Sequence, residues 1–259
     1  GLHEGADLQE PSRVVAPGLN AEEQQQVDLA EMRLSQRIAA AVALRSLGHK
    51  VVAQPSGALV YQVQQGLPAD GKIHPTDIVV ALDGKPVRSP ADIRRLMQSK
   101  RPGDEVTFTV RRRGKSENLT LTTVRASPED PRRAIVGVLL EQATDIRLPF
   151  RVSIDAGQVG GPSAGLAFAL DVLEELGRNV DRGNRIAATG EIFLNGSVGA
   201  IGGIKQKTIG ARKAGVDAFL VPAGDNAKEA RKYADGLRII PVKSFQQALR
   251  ALATLPEKR

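Results

Sequence analysis

The chain has 259 residues, 41% of them hydrophobic, enough for one large domain or two ordinary ones with a proper core. Aromatics make up only 3% and Trp is absent, so base-stacking nucleic-acid surfaces are a poor fit despite the formal charge of +7, and the Ala, Val, Ile, Leu and Gly content points to layered α/β packing. The absence of cysteine excludes disulfides, thiolate metal sites and cysteine nucleophiles.

Residues 1–19 are polar and proline-containing and read as a tail or extended arm. They do not form a signal peptide, and no stretch approaches the roughly 18 to 20 apolar residues that a membrane span needs. The chain opens on Gly-Leu-His, which leaves room for a targeting or anchoring segment removed before Gly1. Asn20 followed by Glu23 is a capping-box start, and Val27, Ala30, Leu34, Ile38, Ala41 and Val42 recur at helical spacing until Gly48. This long amphipathic helix mixes both charge signs on its polar face, which favours core packing over a membrane surface.

From Val51 the texture changes to short strands and turns. Residues 58–63, 77–82, 105–110 and 119–124 alternate as strands, Asp83-Gly84 and Arg113-Gly114 mark turns, and residues 90–97 form a helix. Residues 51–126 hold 12 basic and 7 acidic side chains, but only Arg111-Arg112-Arg113 forms a run, which reads as a solvated hairpin end and not as a phosphate site. The order of elements, with Ser56-Gly57-Ala58-Leu59, Gly66-Leu67-Pro68-Ala69, Thr76-Asp77-Ile78-Val79 and Leu82-Asp83-Gly84, resembles a bacterial PDZ domain. That resemblance implies that the backbone N–H groups of Ser56, Gly57, Ala58 and Leu59 hold a C-terminal carboxylate while the peptide adds as a strand beside residues 58–61.

Residues 126–131, Ala-Ser-Pro-Glu-Asp-Pro, read as a linker. Beyond it, residues 135–140 and 150–154 read as buried strands of a second, sheet-and-helix domain, followed by a glycine-rich loop and a helix over residues 163–176. Strands are expected at 186–189, 192–194, 218–221 and 237–240, and helices at 205–214, 227–233 and 244–255.

Gly161-Pro162-Ser163-Ala164-Gly165 presents Ser163 where an irregular loop enters a helix, so that nearby backbone N–H groups lack helical partners. The pattern matches G-x-S-x-G, whose hydrolase form needs a histidine later in the chain. Every histidine here, His3, His49 and His74, precedes Ser163, so the base of a Ser163 nucleophile is expected to be a lysine. Seven lysines follow Ser163. A lysine serves as base only where burial lowers its pKa. Lys205, with Ile201 and Ile209 at i−4 and i+4 and Gly202-Gly203 beside it, fits that need best on spacing, and Lys207 is its rival.

Gly161-Pro162-Ser163-Ala164-Gly165, Thr189-Gly190-Glu191 and Gly202-Gly203-Ile204-Lys205-Gln206-Lys207 together resemble the proteolytic domain of Lon-type serine–lysine peptidases. Read through that motif, Ser163 is the nucleophile and Lys205, the first lysine after the glycine pair, its base. Gly161 and Pro162 support the serine, and Thr189 either hydrogen-bonds the lysine or is a satisfied strand threonine. The acidic residue that the family often places three before the serine is Gly160 here.

With the PDZ-like segment, the whole chain resembles the membrane-anchored, PDZ-containing Lon-like proteases of bacteria. The implied fold is α/β (α+β), a Lon-type proteolytic domain with an inserted PDZ-like β-rich domain: residues 1–50 as arm and helix packing on the catalytic domain, 51–126 as the PDZ-like domain, 127–259 as the protease domain. The implied activity is that of an endopeptidase on flexible or unfolded polypeptides. It should be independent of ATP, because the sequence has no G-x-x-x-x-G-K-[ST] loop. C-terminal peptides are the expected PDZ partners, and a homo-oligomeric ring, commonly of six, is the expected assembly. The implied location is the extracytoplasmic face of a bacterial membrane, and no metal, cofactor or nucleic acid is expected. The competing reading is a catalytically silent PDZ adaptor on a Lon-like scaffold.

Overall fold

The computed structural model describes residues 21–155 and 161–258, without the side chains of residues 22 and 23. The expected arm, the Asn20–Glu23 capping box and Gly160 lie outside the described residues. Two compact units emerge: one takes residues 28–52 and 146–258, the other residues 21–27 and 53–145.

Helix α1 (Ala21–Ser46) ends where Leu47 and Gly48 amides close back onto Ala43, Leu44 and Arg45 carbonyls, and Gly48 takes a φ of 84°. In the first unit its Ala39, Val42 and Ala43 join one apolar core with Leu166, Leu170 and Leu173. Alanine at this face lets the helices approach closely, and each fully buried Leu contributes about 1.5–3 kcal/mol.

The second unit is built on a sheet of β1 (Val52–Val63), β2 (Ile78–Leu82), the short β3 (Lys85–Pro86), β4 (Glu105–Arg112), β5 (Lys115–Thr122) and β8 (Val138–Arg147), in the order β5-β4-β2-β1-β8 with β3 paired to β2. Helix α2 (Pro90–Met97) starts on a capping box between Ser89 and Asp92 and buries Ile93. Val60, Val79, Leu82, Phe108 and Leu121 form the core, and alternation along β4 turns Val106, Phe108 and Val110 inward.

Three expectations are corrected here. The apolar run at 135–140 does not open the second domain: Val136, Val138 and Leu140 pack on the core of the second unit, and β8 closes its sheet beside β1. The supposed linker is a loop within that unit, between β6 (Val124–Arg125) and β7 (Ala134–Ile135), which pair with each other. Residues 150–154 are not a strand, although Val152 and Ile154 do pack on the first unit's core.

The first unit continues with a 3-10 turn (Pro162–Ala164), α3 (Gly165–Glu175), β9 (Ile186–Ala188), β10 (Glu191–Ile192), β11 (Val198–Gly199), α4 (Ile204–Lys213), β12 (Ala218–Pro222), α5 (Asp225–Lys232), β13 (Arg238–Val242) and α6 (Phe245–Ala253). Strands β13-β12-β9 form a parallel sheet, with every residue of β12 buried, as expected for a strand covered on both faces. The hairpin β10-β11 is separate from it and lies against the 3-10 turn.

Candidate active site and peptide groove

Ser163 sits in the 3-10 turn that leads directly into α3, so its surroundings are set by what holds that turn. Gly161 opens it with a φ of 77°. From α1, the Ser35 hydroxyl donates to the Pro162 carbonyl at 3.2 Å, and the Gly161 amide donates to the Asp28 carbonyl at 3.2 Å. From the other side, the Gly190 amide donates to the Ser163 carbonyl at 2.8 Å and the Leu166 amide to the Gly190 carbonyl at 3.0 Å. Packing is tight enough that a Cβ on Gly165 would come within 2.9 Å of both Ile192 Cγ2 and Ser35 Oγ. The conspicuous glycines of the motif thus serve the turn and the close approach of α3 to its neighbours.

Thr189 Oγ1 donates to the Ser163 carbonyl at 3.1 Å. It therefore braces the serine's backbone and does not bond the lysine, in line with the satisfied-threonine alternative. With its own amide bonded to the Leu220 carbonyl, this buried threonine ties the serine turn to β12.

The expectation for Lys205 is also corrected. Lys207 Nζ donates to Ser163 Oγ at 2.8 Å, whereas Lys205 Nζ lies over the Tyr233 ring, 5.7 Å from its centroid. Helix rotation is the reason. Ile204, Thr208 and Ala211 define the buried face of α4, and Lys207 falls on that i, i+3, i+4, i+7 stripe, while Lys205 turns about 200° away from Lys207. The stripe was present in the sequence, but Ile201, counted beside Lys205 at i−4, lies outside the helix: α4 begins at Ile204 after Gly203 in the left-handed conformation. Ahead of it, Asn226 grips Ile201 through both amide positions, accepting from its N–H at 2.8 Å and donating to its carbonyl at 2.9 Å. No motif singled out Asn226 or Ser35, because their partners are distant backbone groups.

Burial pushes the Lys207 ammonium below the ordinary lysine range. Its place in the first turns of α4 acts in the same direction, since the N-terminal end of a helix disfavours a cation. A neutral amine there can accept the proton of a serine hydroxyl 2.8 Å away. Among the described residues no group of three or more His, Asp or Glu side chains could hold a metal ion.

In the second unit the carboxylate loop expected at Ser56, Gly57, Ala58 and Leu59 is not formed. Ser56, Gly57, Ala58 and Leu59 are not an open loop but the middle of β1, between β2 and β8. Ala58 pairs with Val79 and Leu59 with Ile78, the Gly57 amide donates to the Arg88 carbonyl, and Gln142 Nε2 of β8 donates to the Gly57 carbonyl at 3.2 Å. No peptide can add to β1 while β8 lies beside it. On this side the edge strand is β8, and between it and α2 runs a groove of about 810 Å³ lined by Ile93, Met97, Phe108, Val136, Val138 and Leu140. At the head of β8, Gly137 turns with a φ of 85°, and a Cβ there would lie 2.4 Å from Leu67 Cβ.

The PDZ domain family matches residues 45–123, and the Lon protease (S16) C-terminal proteolytic domain family matches residues 140–254. Among curated relatives, Lon protease 2 of Bacillus subtilis is 36% identical over 111 residues, 43% of this chain and 19% of that protein. Lon protease of Buchnera aphidicola is 41% identical over 100 residues, 37% of this chain and 13% of that protein. The chain thus spans a fifth or less of the length of these relatives. The PDZ domain of an SdrC-like protein from Listeria monocytogenes aligns with 33% of this chain and 87% of that structure, at 22% identity and a TM-score of 0.31. Among the described residues no helix is long and apolar enough to cross a membrane. The chain joins a PDZ domain to a Lon-type C-terminal proteolytic domain.

Proposed function

We propose that the protein is a serine endopeptidase in which Ser163 and Lys207 form the catalytic dyad. The observation that carries this reading is the 2.8 Å bond between Lys207 Nζ and Ser163 Oγ, with burial lowering the lysine's affinity for its proton. Neutral Lys207 takes the hydroxyl proton as Ser163 Oγ attacks the peptide carbonyl carbon. The resulting oxyanion is met by backbone amides around Ser163. Lys207 returns the proton to the leaving amine, and the acyl-enzyme ester is hydrolysed by a water that Lys207 deprotonates in turn.

The substrates on this reading are flexible or unfolded polypeptides, cleaved without ATP. The PDZ unit recruits C-terminal peptides, which add as a strand to β8 in the groove beside α2. A ring of subunits and an anchored, extracytoplasmic location belong to the same proposal; sizing of the purified protein and fractionation of cells check them.

The deciding experiment is degradation of casein without ATP by the wild type, Ser163→Ala and Lys207→Arg. Cleavage by the wild type alone is the expected result. Equal cleavage by all three would overturn the dyad, and no cleavage by any would favour a silent PDZ adaptor.

A further inference from the structure

The groove between β8 and α2 has an uneven chemistry. Its floor is apolar, from Ile93, Met97, Val136, Val138 and Leu140, but its rim carries Arg94 on α2 and Arg132 and Arg133 just ahead of β7. All three arginines are exposed, and no salt bridge joins any of them to a described carboxylate. Lys100 also lines the groove, but its ammonium is already held by Asp83 at 2.6 Å. The single acidic lining residue is Asp130. One carboxylate against three unpaired guanidinium groups leaves the rim positive.

We propose that this groove selects polypeptide C-termini that end in an apolar residue and carry acidic residues just upstream. The inference rests on the PDZ reading of the groove and adds to it the class of sequence that is recruited. A peptide lying along β8 puts alternate side chains over the apolar floor, and its upstream residues pass the arginine rim. Guanidinium groups match carboxylates in geometry, and unpaired ones give up no existing partner on binding. Each exposed pair is weak, so the preference comes from two or three acting together and is sensitive to salt. An anionic membrane surface would meet the same charges but could not fill a concave apolar floor flanked by a strand edge.

The test uses the full chain carrying Ser163→Ala, so that peptides are not cleaved, and fluorescence anisotropy with four labelled peptides sharing a C-terminal Leu. One has three upstream Glu residues, one has Gln in their place, one has Lys, and one repeats the Glu sequence with an amidated terminus. The Glu peptide should bind about tenfold more tightly than the Gln peptide at low salt, with the gap closing near 0.5 M salt, and the Lys peptide should bind weakest. Arg132→Glu with Arg133→Glu should invert that order while leaving the Gln peptide unchanged. Equal affinity for Glu and Gln peptides, with amidation still harmful, would overturn the charge preference and leave the groove standing. Indifference to amidation would overturn the groove itself. Binding to phosphatidylserine vesicles that the Glu peptide fails to displace would overturn the choice of a peptide.

Discussion

Each unit draws a charged side chain out of water, Asp77 fully and Lys207 about half-way, and the two are treated in opposite ways. In the PDZ unit Asp77 is 2% exposed and fully partnered: Arg112 donates to both its oxygens at 2.8 and 2.7 Å, and the His74 amide donates at 2.9 Å. The hydrogen bond to Asp77 holds Arg112 above even its ordinary range, so the guanidinium keeps its charge at any working pH. In the proteolytic unit, burial instead lowers the pKa of Lys207, whose ammonium points at a neutral hydroxyl. A paired buried charge fixes structure, whereas a cation held against a hydroxyl is poised to lose its proton. The first arrangement suits a recognition module and the second a reactive site.

The comparison breaks most sharply at the lysines. Lys207→Arg should lower casein cleavage by about a thousandfold or more, because a guanidinium keeps its proton, while Lys205→Arg should retain most activity over Tyr233. The reverse outcome would return the role to Lys205. The pH profile sharpens the same point. Activity should rise as pH climbs through the lowered pKa of Lys207, as read from casein cleavage across a pH series. Stability follows with a definite sign. Between the lowered folded pKa and the ordinary value of 10.5 the unfolded lysine binds more protons than the folded one, so stability rises with pH across that window and the cost of burial is greatest below it. Lys207→Met should therefore be inactive yet melt no lower than the wild type at neutral pH, as read by calorimetry.

A next, smaller effect is expected at the paired charge. Arg112→Ala strands Asp77 in the core and should destabilise the PDZ unit by about 3 kcal/mol, measured by urea unfolding, with little change in dyad chemistry below the transition. Gly137→Ala should cost about 1–3 kcal/mol, since it imposes a Cβ at a positive φ and against Leu67, and its readout is lost C-terminal peptide binding with casein cleavage retained. The smallest effect is expected at Asn226. Asn226→Ala releases the Ile201 backbone that sets the start of α4, and kcat should fall about tenfold with KM little changed, since Lys207 is misplaced but substrate contacts remain.

The chain's own residues announced Ser163, because a glycine-rich turn running into an apolar helix is a local pattern, and they announced the strand and turn alternation of the PDZ unit for the same reason. Which lysine meets the serine depended on which face of α4 is buried: Ile204, Thr208 and Ala211 turn inward, and Lys207 lies on their side of the helix while Lys205 does not. The Arg111-Arg112-Arg113 run reads as a solvated hairpin end, yet Arg112 reaches a buried Asp77. Thr189 was singled out, but its acceptor, the Ser163 carbonyl, is a backbone group 26 positions away that no side-chain motif encodes. The expected carboxylate loop at residues 56–59 and the neighbour of the run at 135–140 were misread for the most general reason. An apolar run such as residues 135–140 specifies that a strand is buried without specifying its neighbour, and β8 returns to the edge of β1 across the whole length of the unit. Periodicity and turn chemistry are local properties of a sequence, whereas strand partners, helix phase and the fate of a buried charge are settled only when distant segments pack.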